Sequence, residues 1–293
     1  MKTILVGVDG SEGAKDALRW ACREATSYGD ARIVAVSAWF APLPVTSPWL
    51  PSVDLPIDLT EATENALADS VSAVVRDDFG SLEVEQRVIH GAAGQVLIAQ
   101  AAHSDLVVVG SRGLGGFKGL LLGSVSHQVV THAPCVVVVV PHGARTAPSS
   151  SVGAPMLVGV DGSANSIAAL RWAAGRARAT GTTIRAILVW RPPGTMTPAS
   201  ISMEPSPTDI ARHDASTMLD EYVAEAALPG NVQVERVAIE GMPAKMLIDE
   251  GRHAELLVVG ARGHEGFAGL LLGSVTTAVV RHAPCPVAVI PQP

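Results

Sequence analysis

Short unbroken apolar runs alternate along the chain with segments whose apolar residues recur every three or four positions. Residues 4–8 (ILVGV) form an apolar run closed by Asp9-Gly10, the pattern of a buried strand. Ser11 then stands before Ala14, Ala17, Leu18, Ala21 and Ala25, which share one helical face, so Ser11 is the expected N-cap. The pattern continues as a strand at 33–39, a helix at 57–79, a strand at 84–89, a helix at 94–102 and a strand at 106–109. A helix from Ser124, closed before Pro134, leads to a last strand at 136–140. Strands this uniformly apolar need cover on both faces, as in a parallel sheet with helices on each side. The expected fold class is α/β, a doubly wound five-stranded parallel sheet in the order 3-2-1-4-5.

The pattern runs twice. "ILVGVDGSEGAKDALRWA" at 4–21 returns as "MLVGVDGSANSIAALRWA" at 156–173, and "HAPCVVVVVP" at 132–141 returns as "HAPCPVAVIP" at 282–291. The stretch between, "HGARTAPSSSVGAP", is small, polar and interrupted by Pro and Gly, the composition of a linker. The expected organisation is a tandem pair, 1–143 and 155–293, joined by a linker at 144–154. After the second strand of each copy come the proline-rich stretches 41–56 and 191–208, which read either as plain surface loops or as lids over a ligand.

Composition narrows the classes. A length of 293 residues suits two domains, and 48% hydrophobic residues suffice for two cores. A net charge of −7 leaves no basic footprint, which argues against a nucleic-acid partner. Three cysteines are too few for a disulfide framework and suit a reducing compartment. The N-terminal apolar run ends at Asp9, too early for a signal peptide, and no stretch approaches the roughly 18 apolar residues that span a bilayer. A cytoplasmic chain without membrane insertion is the expectation.

The chemistry concentrates in "GSRGLGGFKGLLLGS" at 110–124 and "GARGHEGFAGLLLGS" at 260–274. Both keep the spacing Gly-x-x-Gly, nine residues, Gly-Ser: Gly110, Gly113, Gly123, Ser124 and Gly260, Gly263, Gly273, Ser274. The first glycine follows an apolar strand, and the serine is expected to cap the next helix. Glycines permit positive φ and the close approach of a ligand. The positive end of the helix that follows favours a phosphate. No lysine precedes the serine, so this is not a P-loop, and the motif follows the fourth strand rather than the first, which excludes a dinucleotide fingerprint. In the order 3-2-1-4-5, strands 1 and 4 flank the switch point where ligands bind. "GVDGS" ends strand 1 in each copy, so Asp9 and Asp161 should meet ligand hydroxyls there or a magnesium ion carried by phosphates. Arg112 and Arg262, between the first two glycines, could reach a phosphate or pair with a surface carboxylate.

With both copies matching G-x2-G-x9-G-[ST], and with "VGVDGS" and "HAPC" repeated, the chain resembles a tandem universal stress protein of the ATP-binding branch. The resemblance implies an ATP-binding regulator of the stress response, not an enzyme, with one adenine-nucleotide site per domain. It places Asp9 and Ala38 near the nucleoside, and Gly110, Gly113, Gly123, Ser124, Val125 and Ser126 around phosphates and ribose. The counterparts are Asp161, Val189, Gly260, Gly263, Gly273, Ser274, Val275 and Thr276. It also implies that the halves pair through their last strands as a pseudo-dimer, with room for a homodimer of whole chains. Slow magnesium-dependent ATP hydrolysis or phosphotransfer is one alternative, and an AMP or cyclic AMP sensor another. Lys118, replaced by Ala268 in the second copy, would favour triphosphate in the first site if it touches phosphate.

Two H-x-x-C units, His132/Cys135 and His282/Cys285, have partial zinc spacing. Each closes a helix and opens an apolar strand, where cysteine acts as a small hydrophobe. Trp20 and Trp172 hold equivalent helical positions and are expected to pack in the core.

Overall fold

A computed structural model describes residues 1–40, 59–80, 82–114, 121–143, 153–192, 206–264 and 271–292. The first half runs β1 (Lys2–Gly7), α1 (Glu12–Tyr28), β2 (Ala31–Trp39), α2 (Thr60–Asp78), β3 (Val84–His90), α3 (Ala93–Ala101), β4 (Leu106–Gly110), α4 (Ser124–His132) and β5 (Val136–Val140). The second runs β6 (Met156–Gly159), α5 (Ala164–Thr180), β7 (Ile184–Trp190), α6 (Pro207–Glu225), β8 (Val234–Glu240), α7 (Pro243–Glu250), β9 (Leu256–Gly260), α8 (Ser274–His282) and β10 (Val287–Ile290). The expected proline-rich loops lie almost wholly, and most of the linker lies, outside the described residues.

Local chemistry sets the first helix of each half. Ser11 is extended and its hydroxyl accepts the Ala14 N–H at 3.1 Å, and Ser163 caps Ser166 in the same way at 3.2 Å. Gly29 and Gly181 end these helices with φ of 70° and 72°, a conformation that costs glycine little.

The ten strands form one sheet in the order β3-β2-β1-β4-β5-β10-β9-β6-β7-β8. Pairing is parallel within each half, with β1 between β2 and β4 as the order 3-2-1-4-5 requires. Where the halves meet, β5 and β10 run antiparallel, Val138 opposite Ala288. Alternate strand residues serve opposite layers. Ile4 and Val6 face a core under α1, α2, α5 and α6, whereas Leu5, Val107, Val109, Val137 and Val139 face one under α3, α4, α7 and α8. Both faces are covered, which is why the inner strands are largely apolar, whereas the edge strands β3 and β8 carry charged residues such as Glu85, Arg87, Glu235 and Arg236. Trp20 is buried in the first layer and Trp172 packs partly buried against it.

Candidate functional site

β1 and β4 pair in parallel and end side by side, β1 leading through "GVDGS" into α1 and β4 into the glycine stretch before α4. A cavity of about 420 Å³ opens there, within the range of small-molecule sites. It is lined by Asp9, Ala38, Gly110, Arg112, Gly113, Gly123, Ser124, Val125 and Ser126, the nine residues expected at the first site. A second cavity, of about 890 Å³, is lined by Asp161, Val189, Gly260, Arg262, Gly263, Gly273, Ser274, Val275 and Thr276. Among the described residues, each is lined by its own half. Lys118 and Ala268 lie outside the described residues.

The motif glycines act differently from the sequence expectation. Positive φ belongs to Gly10 and Gly162 in "GVDGS", at 85° and 81°, and to none of the six motif glycines. Two of those in each copy make room for protein atoms rather than ligand. A Cβ on Gly110 would stand 2.6 Å from the Gly13 carbonyl oxygen, and one on Gly260 would stand 2.6 Å from Asn165 Cβ, so β4 and β9 can touch the first turn of α1 and α5. A Cβ on Gly113 would stand 2.1 Å from Asp9 Oδ2, and one on Gly263 would stand 2.3 Å from Asp161 Oδ2.

That last approach lets each aspartate span the two motifs. Asp9 Oδ1 accepts the Ser11 N–H at 3.0 Å and the Ser11 hydroxyl at 2.6 Å, while Oδ2 accepts the Leu114 N–H at 2.9 Å. Asp161 repeats this with Ser163, at 3.0 and 2.6 Å, and with the His264 N–H at 2.9 Å. Burial pushes the Asp161 carboxyl up, but the hydrogen bonds from Ser163, His264 and Ser166 outweigh it and hold the pKa below the usual carboxylate value.

The N-cap of the helix that follows also differs from the sequence expectation. Gly123 and Gly273 are the N-caps, extended at φ −71° and −72°, and Ser124 and Ser274 are the first helical residues. Neither helix has a side-chain cap hydrogen bond, so its first N–H groups depend on other acceptors. The Ser126 and Thr276 hydroxyls are turned inward and donate to the carbonyls of Gly110 and Gly260, at 2.6 and 2.7 Å. They tie the strand end to the helix.

Neither Arg112 nor Arg262 joins an ion pair among the described residues, and Arg262 Nε is buried without a hydrogen-bond partner. The carboxylate alternative for these arginines therefore has no partner among those residues. The apolar wall was not read from the sequence: Val36, Leu97, Val109 and Leu122 in the first cavity, Ile187, Leu247, Val259 and Leu272 in the second. Its signal was present, since Val36 lies two residues before Ala38 on the same strand face. Arg191 and His264 also line the second cavity, where the first half has Phe40 and Leu114.

The cysteines stand apart from this chemistry. Burial pushes the thiols of Cys22 and Cys285 to about 12 and that of Cys135 to about 11, which keeps them protonated apolar packing groups. No helix among the described residues is long and apolar enough to cross a membrane.

Two tandem doubly wound domains, each with a cavity at the switch point beside a helix start that lacks a side-chain cap, define a class of duplicated α/β proteins. A family model for the universal stress protein family matches residues 1–141 and 154–291, and the chain belongs to that family. A universal stress protein of Mycolicibacterium smegmatis is 34% identical over 292 residues, covering 98% of this chain and 96% of that protein. One of Mycobacterium tuberculosis is 33% identical over 300 residues, with coverages of 98% and 95%. The crystal structure of a universal stress protein from Archaeoglobus fulgidus shares the fold, with a TM-score of 0.64 at 20% identity over 99% of this chain and 98% of that one.

Proposed function

We propose that each domain binds one adenine nucleotide in its cavity and that the chain is a regulatory stress protein whose contacts with partners change with occupancy, not an enzyme. The observation that carries this reading is the division of each cavity. One side is the apolar wall, with Ala38 or Val189, suited to a base. The other is the uncapped start of α4 or α8, flanked by Arg112 or Arg262, suited to phosphates. Asp9 and Asp161, the carboxylates among the described lining residues, each already accept three hydrogen bonds, which favours a positioning role for them over that of a general base.

The donor set does not fit a protein-held magnesium ion. Each site offers one carboxylate, already accepting three hydrogen bonds, and the described residues contain no cluster of three potential ligands. Asp9 and Asp161 position the glycine loop, and a magnesium ion carried by the nucleotide's phosphates would meet that one carboxylate in each site.

Calorimetric titration with ATP tests the reading. Two sites per chain are expected, falling to one in Gly113→Ala and one in Gly263→Ala, because the added methyl displaces Asp9 or Asp161 from the loop. Losing a hydrogen bond to a charged group is worth roughly 1.5–3 kcal/mol, about a tenfold to hundredfold weaker site. Unchanged stoichiometry and affinity in both variants would contradict it. AMP or cyclic AMP binding much tighter than ATP would move the assignment to an adenylate sensor.

A further inference from the structure

The caps fix how the two first helices correspond: Ser11 matches Ser163 and Gly29 matches Gly181, so Glu24 of α1 matches Arg176 of α5. The last strands fix the axis relating the halves. Val138 faces its own counterpart, Ala288, with Val137 and Val139 crossing to Val289 and Val287. Glu24 and Arg176 also meet their own counterparts at this axis, and there the repeat carries opposite charges. Arg176 Nε donates to both Glu24 oxygens, at 2.9 and 3.1 Å, with Glu24 2% and Arg176 7% exposed. Glu255 accepts from Arg176 Nη1 and from the Thr182 hydroxyl.

We propose that this pair makes the interface between halves heterotypic: the first half recognises the second and rejects another copy of itself. Two first halves meeting through the same surface would bury Glu24 against Glu24, two carboxylates with no cation between them. Two second halves would bury Arg176 against Arg176, eased in part because each arginine keeps its own Glu255. The exclusion is therefore strictest for the first half. Size agrees with charge, since Val138 packs opposite the smaller Ala288 on the axis. A buried ion pair adds little net stability over apolar packing, but losing one partner is costly, and that asymmetry suits a pair that selects its partner.

The test uses the full chain with a protease site placed within 144–152, cut, diluted, re-equilibrated and weighed by native mass spectrometry. The expected species is a one-to-one complex of first and second half without first-half homodimer. First-half homodimers at comparable abundance would overturn the proposal. In the uncut chain, Glu24→Arg is expected to lower the thermal midpoint by roughly 10 °C and by more than Glu24→Gln. The reversed set E24R/R176E/E255Q should recover at least half of that loss. Equal costs for Gln and Arg at position 24, with no recovery in the reversed set, would show that charge does not select the pairing.

Discussion

Asp9 reaches across the mouth of the first cavity with both carboxylate oxygens in use, and a methyl group at position 113 would collide with it. Asparagine at position 9 has one acceptor oxygen where the carboxylate has two. Asp9→Asn is therefore expected to release one end of the tie and raise hydrogen exchange at the Leu114 amide about tenfold or more. Exchange unchanged at Leu114 would mean the loop is held by something else. Asp161 makes a pH prediction. Its folded pKa lies below the reference value of 3.8, so its contribution to stability is complete above that pH and is lost as pH falls through the lower folded value. The stability gap between the protein and Asp161→Asn should hold at neutral pH and shrink below about pH 3.8 in acid unfolding curves. A gap that widened in acid would contradict the assignment.

At the level of elements, the strands and most helix ends were legible because physics leaves few choices. An all-apolar run such as 136–140 must be covered twice, and Ser at the start with Gly at the end brackets α1 and α5. The start of α4 at Ser124 was legible in the sequence, but its cap was not. Serine is the usual cap, but Gly123 takes that place and Ser124 becomes helical, leaving the helix start open toward the cavity. The glycine motif was legible as a site marker but not in its workings. That Gly110 makes room for α1 and Gly113 for Asp9 depends on neighbours more than 90 residues away in sequence, which no local pattern encodes. Ser11 both caps α1 and donates to Asp9, so Ser11→Ala should destabilise the fold by about 1 kcal/mol, the usual cost of a lost cap, in denaturant unfolding. The same substitution should also weaken the first site while leaving the second intact. Loss of stability with both sites equally affected would separate the cap from the loop.

Across the whole molecule, the duplication yields one ten-stranded sheet with a cavity in each half, on either side of the β5–β10 seam. The repeats announce two domains, but the Glu24–Arg176 contact could not be read from them. Position 24 and position 176 are each ordinary charged residues until the axis brings them together. The halves have also diverged at the cavities, where Arg191 and His264 replace Phe40 and Leu114. The central claim, an adenine nucleotide in each domain, is tested most directly by what the protein carries. Protein purified without added nucleotide and then denatured should release about two equivalents of adenine nucleotide per chain, identified by chromatography and mass spectrometry, if both sites are tight. Protein that releases no nucleotide and takes up none on titration would contradict the account.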